Sequence, residues 1–487
     1  MVLYIIWGDE EMRVIYIDID SLRPKHIGAN GYHRNTTPNI DKIAEQGVSF
    51  TRAYCASSPC VPSRASFASG MFGINHGVLT HWGPGCDFRI SNHPDQPMFI
   101  RYLRNQGYKL ATFSSFADRH DAFWFMAGWN EVHTHTLKKG NEDADEVMDA
   151  VLPWLEENGR DDNYFLHLQV WDPHRNYTMP VEYQEMFKDT PPPAWPDAEA
   201  IASHQDNYAP FSALNLFPHG DGKSNAPSIP DRIRNSDDFK AFVDAYDGSI
   251  RFMDEQLGRL FAKLEELGIM DETAIVISGD HGEAMGEHGI YGDHVCADEA
   301  VHNIPMIIKW PGMKQKNKRF NELVYNVDLT ATIVDLLGIK VPKKWDGKSF
   351  ASLLREEDYE AREYLVWDHG LYSVSRSVRT DDWLLMRTYH PGVVPLEPIE
   401  LYNMKDDPNM TTNLAEERED IVAELDHLLQ KWTHEHVQPG KQPDPLPLVV
   451  QTGPYKYVTK EMWENRLSKV IGRDDLRDEF LKNIKAK

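Results

Sequence analysis

Buried strands that alternate with amphipathic helices constrain the fold of this chain most. Residues 13–19 are largely β-branched and apolar and turn polar at Asp20, as in a strand whose carboxyl end opens onto a site. A helix follows from Thr37, with an apolar stripe that ends at Gly47. The pattern predicts further strands at residues 48–54, 164–171, 273–278 and 305–310, and a helix over residues 250–264.

This alternation predicts an α/β fold with a mainly parallel central sheet and helices on both faces. Past about residue 355 the pattern changes to short strand-like runs and one helix at residues 421–432, which predicts a smaller C-terminal antiparallel α+β domain. A Pro-rich linker and a charged helical tail follow. We therefore expect three parts, namely residues 1–355, 356–438 and 439–487.

Composition narrows the functional class. Acidic residues outnumber basic ones by 76 to 51, and a formal net charge of −25 argues against nucleic acid as a partner. The apolar start lacks the features of a signal peptide and no run of about 18 apolar residues occurs, so we expect a cytoplasmic protein with no membrane contact. The four cysteines are too few for a disulfide framework and lack the paired spacing of a zinc site, which favours one reactive cysteine.

The most specific motif is C-V-P-S-R at residues 60–64, shortly after a predicted strand. A nucleophile at a helix N-terminus lies near unpaired N–H groups, and Arg64 can bind the oxygens of an anion in a bidentate manner. Cys60 on its own also fits a structural thiol, because free cysteines are usually buried. We expect Cys60 at a helix start rather than deep in the core.

Acidic side chains gather at two predicted strand ends. Asp18 and Asp20 lie two residues apart, so both point to one face of a strand, and Asp280 with His281 follows another strand. Converging carboxylates repel one another unless a cation lies between them, which predicts a divalent metal site. Calcium fits the aspartates best and magnesium or manganese is also compatible, while His281 makes calcium less clear-cut than an asparagine would.

These motifs together resemble the type I sulfatases of the alkaline phosphatase superfamily. That family's C-x-P-S-R signature with a following T-G is matched from Cys60 to Ser69-Gly70, and D-S-L-R-P at residues 20–24 and S-G-D-H-G-E at residues 278–283 match in order. The resemblance covers about residues 13–429. It implies an alkaline phosphatase/sulfatase-like fold, hydrolysis of a sulfate monoester, and Cys60 oxidised to Cα-formylglycine by a formylglycine-generating maturation enzyme.

The resemblance also implies roles for single residues. Arg64 would stabilise the added charge while the hydrated aldehyde of residue 60 attacks sulfur. His174 matches the family's P-H element and His294 stands where the family commonly has a lysine, so either is the predicted proton donor. The family's other lysine is also missing, and Arg119 and His120 are the nearest candidates for its charge. The implied metal ligands are Asp18, Asp20, Cys60, Asp280 and His281.

Two alternative functions stay open at this point. A phosphonate or phosphate ester hydrolase on the same scaffold is one, because Asp280-His281 in place of Asp-Asn resembles that branch. A non-catalytic glycan-binding relative is the other, suggested by the missing lysines but opposed by the intact Cys60, Arg64 and carboxylates. The sequence does not predict the oligomeric state.

A sulfated sugar, free or in an oligosaccharide, is the first choice of substrate. Trp82, Trp124 and Trp171 are candidates for an aromatic rim, and tryptophan rings suit the faces of sugars. Aromatic residues pack cores more often than they bind sugars. The other histidines that attract attention are expected at the rim of the pocket or in structural roles, namely His76, His81, His288 and His302.

Overall fold

The computed structural model describes residues 12–89, 97–134, 138–175, 177–218, 229–438, 442–454 and 460–485 of the 487-residue chain. The apolar start at residues 1–8 and Pro439 of the predicted linker lie outside these ranges. The strands are β1 Arg13–Ile19, β2 Val48–Phe50, β3 Ala53–Tyr54, β4 Ser57–Ser58, β5 Lys109–Phe113, β6 Glu131–His133, β7 Tyr164–Val170, β8 Thr273–Gly279, β9 Asn303–Ile304, β10 Met306–Lys309, β11 Lys318–Phe320, β12 Val324–Tyr325, β13 Leu365–His369, β14 Val374–Arg379, β15 Trp383–His390 and β16 Ile399–Asn403.

Helices connect most of these strands. They are α1 Pro38–Gln46, α2 Cys60–Ser69, α3 Gly73–His76, α4 Phe99–Asn105, α5 Phe116–His120, α6 Ala144–Asn158, α7 Val181–Glu185, α8 Ala198–Ser203, α9 Ser236–Glu266, α10 Glu299–His302, α11 Asn326–Leu336, α12 Ala351–Leu354, α13 Glu419–His436, α14 Leu446–Thr452, α15 Lys460–Asn465 and α16 Asp474–Lys485. None of the described helices combines the length and the apolar character that crossing a membrane requires.

The largest sheet has the strand order β11-β2-β10-β8-β1-β7-β5-β6. Strand β1 runs parallel to both of its neighbours, β7 and β8, and β5 continues the parallel arrangement to β6. Strand β10 is antiparallel to β8 and β2. The mainly parallel central sheet expected from the sequence is confirmed, and the carboxyl ends of β1, β7 and β8 meet at one edge.

Helices cover both faces of this sheet, as the sequence predicts. Ile15, Ile17 and Ile19 of β1 pack in one core with α1, α6 and α9. Val14 and Tyr16 point to the opposite face and pack in a second core with α2, α4 and α11. Because both faces are covered, β1 is buried along its whole length, which explains its continuous apolar sequence.

A smaller sheet with the order β16-β15-β14-β13-β4 forms the C-terminal part, and its four later strands are antiparallel to one another. Helix α13 packs against this sheet through Leu425, Leu429 and Trp432. The smaller C-terminal antiparallel α+β unit is therefore confirmed. Strand β4 comes from the N-terminal half and pairs in parallel with β13, so the chain just before Cys60 is hydrogen-bonded to the C-terminal sheet.

The prediction of one strand over residues 48–54 is wrong in detail. Strand β2 joins the large sheet beside β10 and β11, whereas β3 joins a separate sheet of order β12-β3-β9. The chain changes sheets at Thr51 and Arg52, which are only partly buried. The Arg52 guanidinium donates to the carbonyl of Asn321 and pairs with Asp381 at 2.8 Å, so this polar dipeptide interrupts the apolar run.

The tail packs against the body of the protein. Trp463, Leu467, Ile471, Leu476 and Phe480 form an apolar cluster together with residues of earlier loops, namely Tyr208, Leu214 and Val393. Part of the predicted linker is helical, because Pro447 lies in the first turn of α14. The exact boundaries of the three expected parts stay a prediction.

Candidate active site

Four predicted site residues meet at the carboxyl ends of the parallel strands. Asp20 directly follows β1, and Asp280 and His281 directly follow its neighbour β8. His174 lies four residues after the end of β7, on the other side of β1. Adjacent parallel strands end at the same edge, so the topology alone brings these side chains to one place.

Helix α2 carries Cys60 to this edge. Possible ligand atoms of Asp20, Cys60, Asp280 and His281 all lie within 4.8 Å of one another, and all four residues are buried. The Cys60 Sγ atom is 3.2 Å from Nε2 of His281. Cys60 is the first residue of α2, as expected, but it is also part of a buried core, which corrects the expectation that it lies outside the core.

Arg64 lies one helical turn after Cys60 and binds three carboxylates. Its Nε donates to Asp18 Oδ2 at 2.8 Å, and its Nη1 donates to Asp20 Oδ2 at 3.0 Å and to Asp280 Oδ2 at 2.6 Å. Its Nη2 is buried without a hydrogen-bond partner among the described residues. The single positive charge of Arg64 does not balance three ionised carboxyl groups, so a further cation would be stabilised in this cluster.

Asp18 is placed differently from the predicted role of a metal ligand. It is not one of the four residues whose ligand atoms converge. Its Oδ2 accepts from Arg64 and lies 3.5 Å from Nε2 of His167, because Asp18 sits within β1, one step back from the sheet edge. In this geometry Asp18 acts on the cluster through Arg64.

The electrostatic environment differs between the two central carboxyl groups. Burial alone would raise the pKa of Asp20, but the Arg64 guanidinium, helped by a hydrogen bond from Ser21, holds that pKa well below its ordinary value. Burial raises the pKa of Asp280 to about 7, against the charge of Arg64 and together with that of Asp20. A cation at this position would favour the ionised form of both groups.

The two predicted proton donors lie beside this cluster. The rings of His281 and His294 are 4.1 Å apart between centroids, and His294 also forms a possible ligand group with Cys60 and His281. The His174 ring is 6.4 Å from that of His294. Burial is the main cause that lowers the pKa of His174, to about 3, and its Nδ1 faces the carbonyl oxygen of Arg175 at 2.8 Å.

Ser21 is a site residue that the sequence did not single out. Its hydroxyl donates to Asp20 Oδ1 at 2.8 Å, and its backbone N–H donates to Asp280 Oδ1 at 3.2 Å. It adopts φ 60°, a left-handed conformation that is uncommon outside glycine. Ser21 therefore holds the two carboxyl groups together. In the sequence, its position directly after Asp20 was the feature that could have indicated a role in the site.

The candidates for the missing lysine charge are close to the site. The Arg119 guanidinium lies 4.8 Å from the centre of the Trp171 ring. The Arg64 guanidinium lies 5.9 Å from the centre of the same ring. Arg119 also donates to the carbonyl of Gly140. His120 is buried, and burial lowers its pKa well below the usual value, which disfavours its charged form.

The predicted aromatic rim is only partly formed. Trp171 is buried and forms a wall beneath Arg119 and Arg64. Trp124 stacks on Phe88 at 4.4 Å and serves packing. Trp82 is partly exposed, as Trp124 is, and its ring lies 6.0 Å from that of His120.

Carboxylates, a cysteine and an arginine gathered at the carboxyl edge of such a sheet are the groups that a metal-assisted ester hydrolase uses. Comparison with known proteins specifies the family. The family description "Sulfatase" matches residues 13–339, and "N-sulphoglucosamine sulphohydrolase, C-terminal" matches residues 286–435. The chain belongs to the sulfatase family.

Individual relatives agree with this assignment. An N-acetylglucosamine-6-O-sulfatase of Bacteroides thetaiotaomicron is 23% identical over 470 residues, which cover 82% of each chain. A protein solved in complex with its substrate D-glucosamine-2-N,6-O-disulfate has a TM-score of 0.70 and 20% identity, covering 87% of this chain and 97% of its own. The phosphonate monoester hydrolase of Agrobacterium radiobacter also has a TM-score of 0.70, at 21% identity, covering 87% of this chain and 95% of its own.

Proposed function

We propose that this sulfatase hydrolyses a sulfate monoester on a carbohydrate to an alcohol and inorganic sulfate, with Ca²⁺ and a formylglycine derived from Cys60. The observation that carries this proposal is the convergence of Asp20, Cys60, Asp280 and His281 around the buried Arg64. The names of relatives that act on aminosugar sulfates support a sulfated sugar as the substrate.

The donor set fits a divalent cation. Asp20 and Asp280 would offer carboxylate oxygens, His281 a ring nitrogen, and residue 60 its modified side chain. The possible ligand atoms of these four residues all lie within 4.8 Å of one another, and carboxylates that converge in this way repel one another unless a cation lies between them. When bound, the cation would neutralise charge on the ester oxygens during the reaction.

Cys60 as a plain thiol is a poor nucleophile in this position. Burial raises its pKa well above the ordinary value, and the neighbouring charges of Asp20 and Asp280 raise it further. The reactive thiolate is therefore disfavoured at neutral pH. A formylglycine hydrate would supply one hydroxyl to attack sulfur and a second whose deprotonation releases sulfate, which a thiol cannot do.

Arg64 is oriented to bind the ester. Its Nε and Nη1 are held by carboxylates, so its remaining donor group, Nη2, is available for a sulfuryl oxygen. The guanidinium of Arg64 also packs on two aromatic rings. It lies 5.9 Å from the centre of the Trp171 ring and 5.0 Å from that of the Phe116 ring. This fixed geometry supplies positive charge without reorganisation as charge develops.

We assign the proton donor to His294 rather than His174. A carbonyl oxygen can only accept, so Nδ1 of His174 carries its proton toward Arg175, and the neutral ring has no proton on Nε2 to give. His294 lies with Nδ1 3.4 Å from Oδ1 of Asp293, and its ring is 4.1 Å from that of His281, so it stands directly beside the cluster.

The second candidate function is phosphonate monoester hydrolysis. His281 beside Asp280 and the structural likeness to a phosphonate monoester hydrolase favour it. Phosphoryl and sulfuryl groups are both tetrahedral and rich in oxygen, so the same cluster could bind either.

A substrate panel separates these functions. The protein would be co-expressed with a formylglycine-generating enzyme, the mass of the tryptic peptide with residue 60 determined, and rates measured on sulfated aminosugars, aryl sulfates and phosphonate esters. We expect the aldehyde mass and the highest kcat/KM on a sulfated sugar. A higher kcat/KM on phosphonates supports the second function, and an unmodified thiol with full activity contradicts the role given to Cys60.

A further inference from the structure

A second buried group of metal-ligand side chains lies outside the active site. Ligand atoms of His288, Cys296 and Asp298 all lie within 4.8 Å of one another. His288 Nε2 is 3.5 Å from Asp298 Oδ2, and Cys296 Sγ is 3.2 Å from the same oxygen. The side chains of His288 and Asp298 are 7% and 1% exposed. We call these three residues the second cluster.

The second cluster contains polar atoms that lack a partner. Nε2 of His288 is buried and has no hydrogen-bond partner in the described part of the chain, although it points at Asp298. On the other side of the ring, Nδ1 lies 3.9 Å from Oε1 of Glu400, which accepts a hydrogen bond from Tyr402 at 3.2 Å. A histidine with one nitrogen toward a carboxylate and the other toward sulfur and oxygen has the arrangement of a metal ligand with its supporting shell.

Charge also points to a cation. Among the described residues, neither Asp298 nor Glu400 forms an ion pair with lysine or arginine, and the nearby Arg23 is taken up by Glu287 at 2.7 Å. Burial raises the pKa of Asp298 and Glu400, and it raises that of the Cys296 thiol well above its usual value. A cation beside them would favour the ionised form of all three groups.

We propose that His288, Cys296 and Asp298 bind a structural zinc ion, with Glu400 orienting His288 through Nδ1. The Cys296 thiolate distinguishes this ligand set, because Zn²⁺ binds thiolate together with nitrogen and carboxylate, whereas Ca²⁺ and Mg²⁺ do not favour sulfur ligands. Ligand bonds of about 2.0–2.3 Å in a tetrahedron place ligand atoms about 3.3–3.8 Å apart. The 3.2 and 3.5 Å separations are close to this range. Binding releases the Cys296 thiol proton to solvent, and water completes the coordination.

The second cluster lies between the active-site loop and the C-terminal sheet, so an ion bound there would connect the two. His288 lies in the loop that connects the active-site residues Asp280 and His294, where it adopts a left-handed φ of 53°. Asp298 caps helix α10 by accepting from the N–H of Val301, and Glu400 belongs to β16 of the C-terminal sheet. An ion here would tie the active-site loop to the C-terminal sheet.

Metal analysis of the full-length protein tests this proposal. Protein dialysed against zinc would be analysed for bound zinc, and cobalt(II) would be added to the Cys60→Ala variant, so that Cys60 cannot produce a thiolate-to-cobalt absorption band. We expect one zinc per chain, a cobalt–thiolate band and a rise in Tm with zinc. Absence of both bound zinc and the band at saturating metal would overturn the proposal.

Variants locate the ion. Cys296→Ala and His288→Gln should each lose the bound zinc and the dependence of Tm on zinc. The matched control is Cys86→Ala, because Cys86 is a half-buried thiol that donates to the carbonyl of His81 and belongs to neither cluster. Zinc retained in both Cys296→Ala and His288→Gln would place it elsewhere and contradict the proposal. The cobalt titration of the single variant Cys60→Ala, which keeps the second cluster intact, stays decisive if Cys296→Ala and His288→Gln fold poorly.

Discussion

Two buried clusters of metal-ligand side chains differ in one respect, the presence of a permanent protein cation. The active-site cluster contains Arg64, which contacts the carboxyl groups of Asp18, Asp20 and Asp280. Among the described residues, the second cluster has no such arginine, and its only basic group is His288. A cluster with a guanidinium and a metal can bind an additional anion, whereas a cluster neutralised by one ion is complete. The difference separates a catalytic centre from a structural one.

Exchange of the cysteine in each cluster should give the largest contrast. Cys60→Ala should lower kcat on a sulfate ester by about 10⁶-fold, as loss of a nucleophile does elsewhere. Cys296→Ala should lower Tm with a far smaller effect on turnover. Rates and melting curves of both variants would be measured together, and the comparison breaks if Cys296→Ala loses as much turnover as Cys60→Ala.

Arg64→Lys tests the cation that distinguishes the clusters. A lysine cannot contact three carboxylates and still present a donor to the ester, so we expect kcat/KM to fall by ~10²–10³-fold. Arg119→Lys is the matched control, because Arg119 packs on the same Trp171 ring without binding a carboxylate of the cluster. Wild-type kcat/KM in Arg64→Lys would contradict the role given to the guanidinium of Arg64.

His294 tests which histidine serves the active-site cluster. His294→Ala should lower kcat by about 10²-fold, as loss of a general acid does. His294→Lys should recover part of this loss and flatten the alkaline limb of the pH profile, because lysine stays charged at higher pH. His174→Gln provides the comparison and should cost less. Wild-type rates with an unchanged profile for His294→Ala would move the role to His174.

Asp172 is a buried carboxyl group outside both clusters, and it forms no ion pair with lysine or arginine among the described residues. It accepts from Ser249 and from the N–H of Ala144, and burial raises its pKa to about 7. A raised pKa means that its contribution to folding stability is present at low pH and is lost as the pH rises through about 7. Asp172→Asn should therefore remove this loss and raise the free energy of unfolding at pH 8 by about 1–3 kcal/mol. Denaturant unfolding at pH 5 and pH 8 checks this, and a variant less stable at both values would contradict it.

Much of the fold followed from the sequence because its signals are local. The apolar run of β1 and the polar residue after it place a strand and a site, and the parallel topology then brings Asp280 beside Asp20. The break at Thr51 and Arg52 was missed because both halves of that run suit strands equally. Only the partners, β10 and β11 on one side and β9 and β12 on the other, distinguish them.

The sites divide in the same way. Cys60, Arg64, Asp280 and His281 lie in compact motifs, so sequence could place them together. The second cluster is drawn from residues 288, 296 and 298 with support from residue 400, and its single cysteine has none of the paired spacings of zinc sites. The sequence did not indicate that His288 lies beside Cys296, Asp298 and Glu400, because only the tertiary fold brings these residues together.

Metal removal and replacement during turnover test the central claim most directly. The matured protein would be treated with a chelator, assayed on a sulfated aminosugar, and assayed again after addition of Ca²⁺ or of Zn²⁺ alone. We predict that activity is lost with the chelator and restored by Ca²⁺ and not by Zn²⁺. Full turnover in the chelated, metal-free protein would contradict the assignment of Asp20, Asp280 and His281 to a catalytic cation.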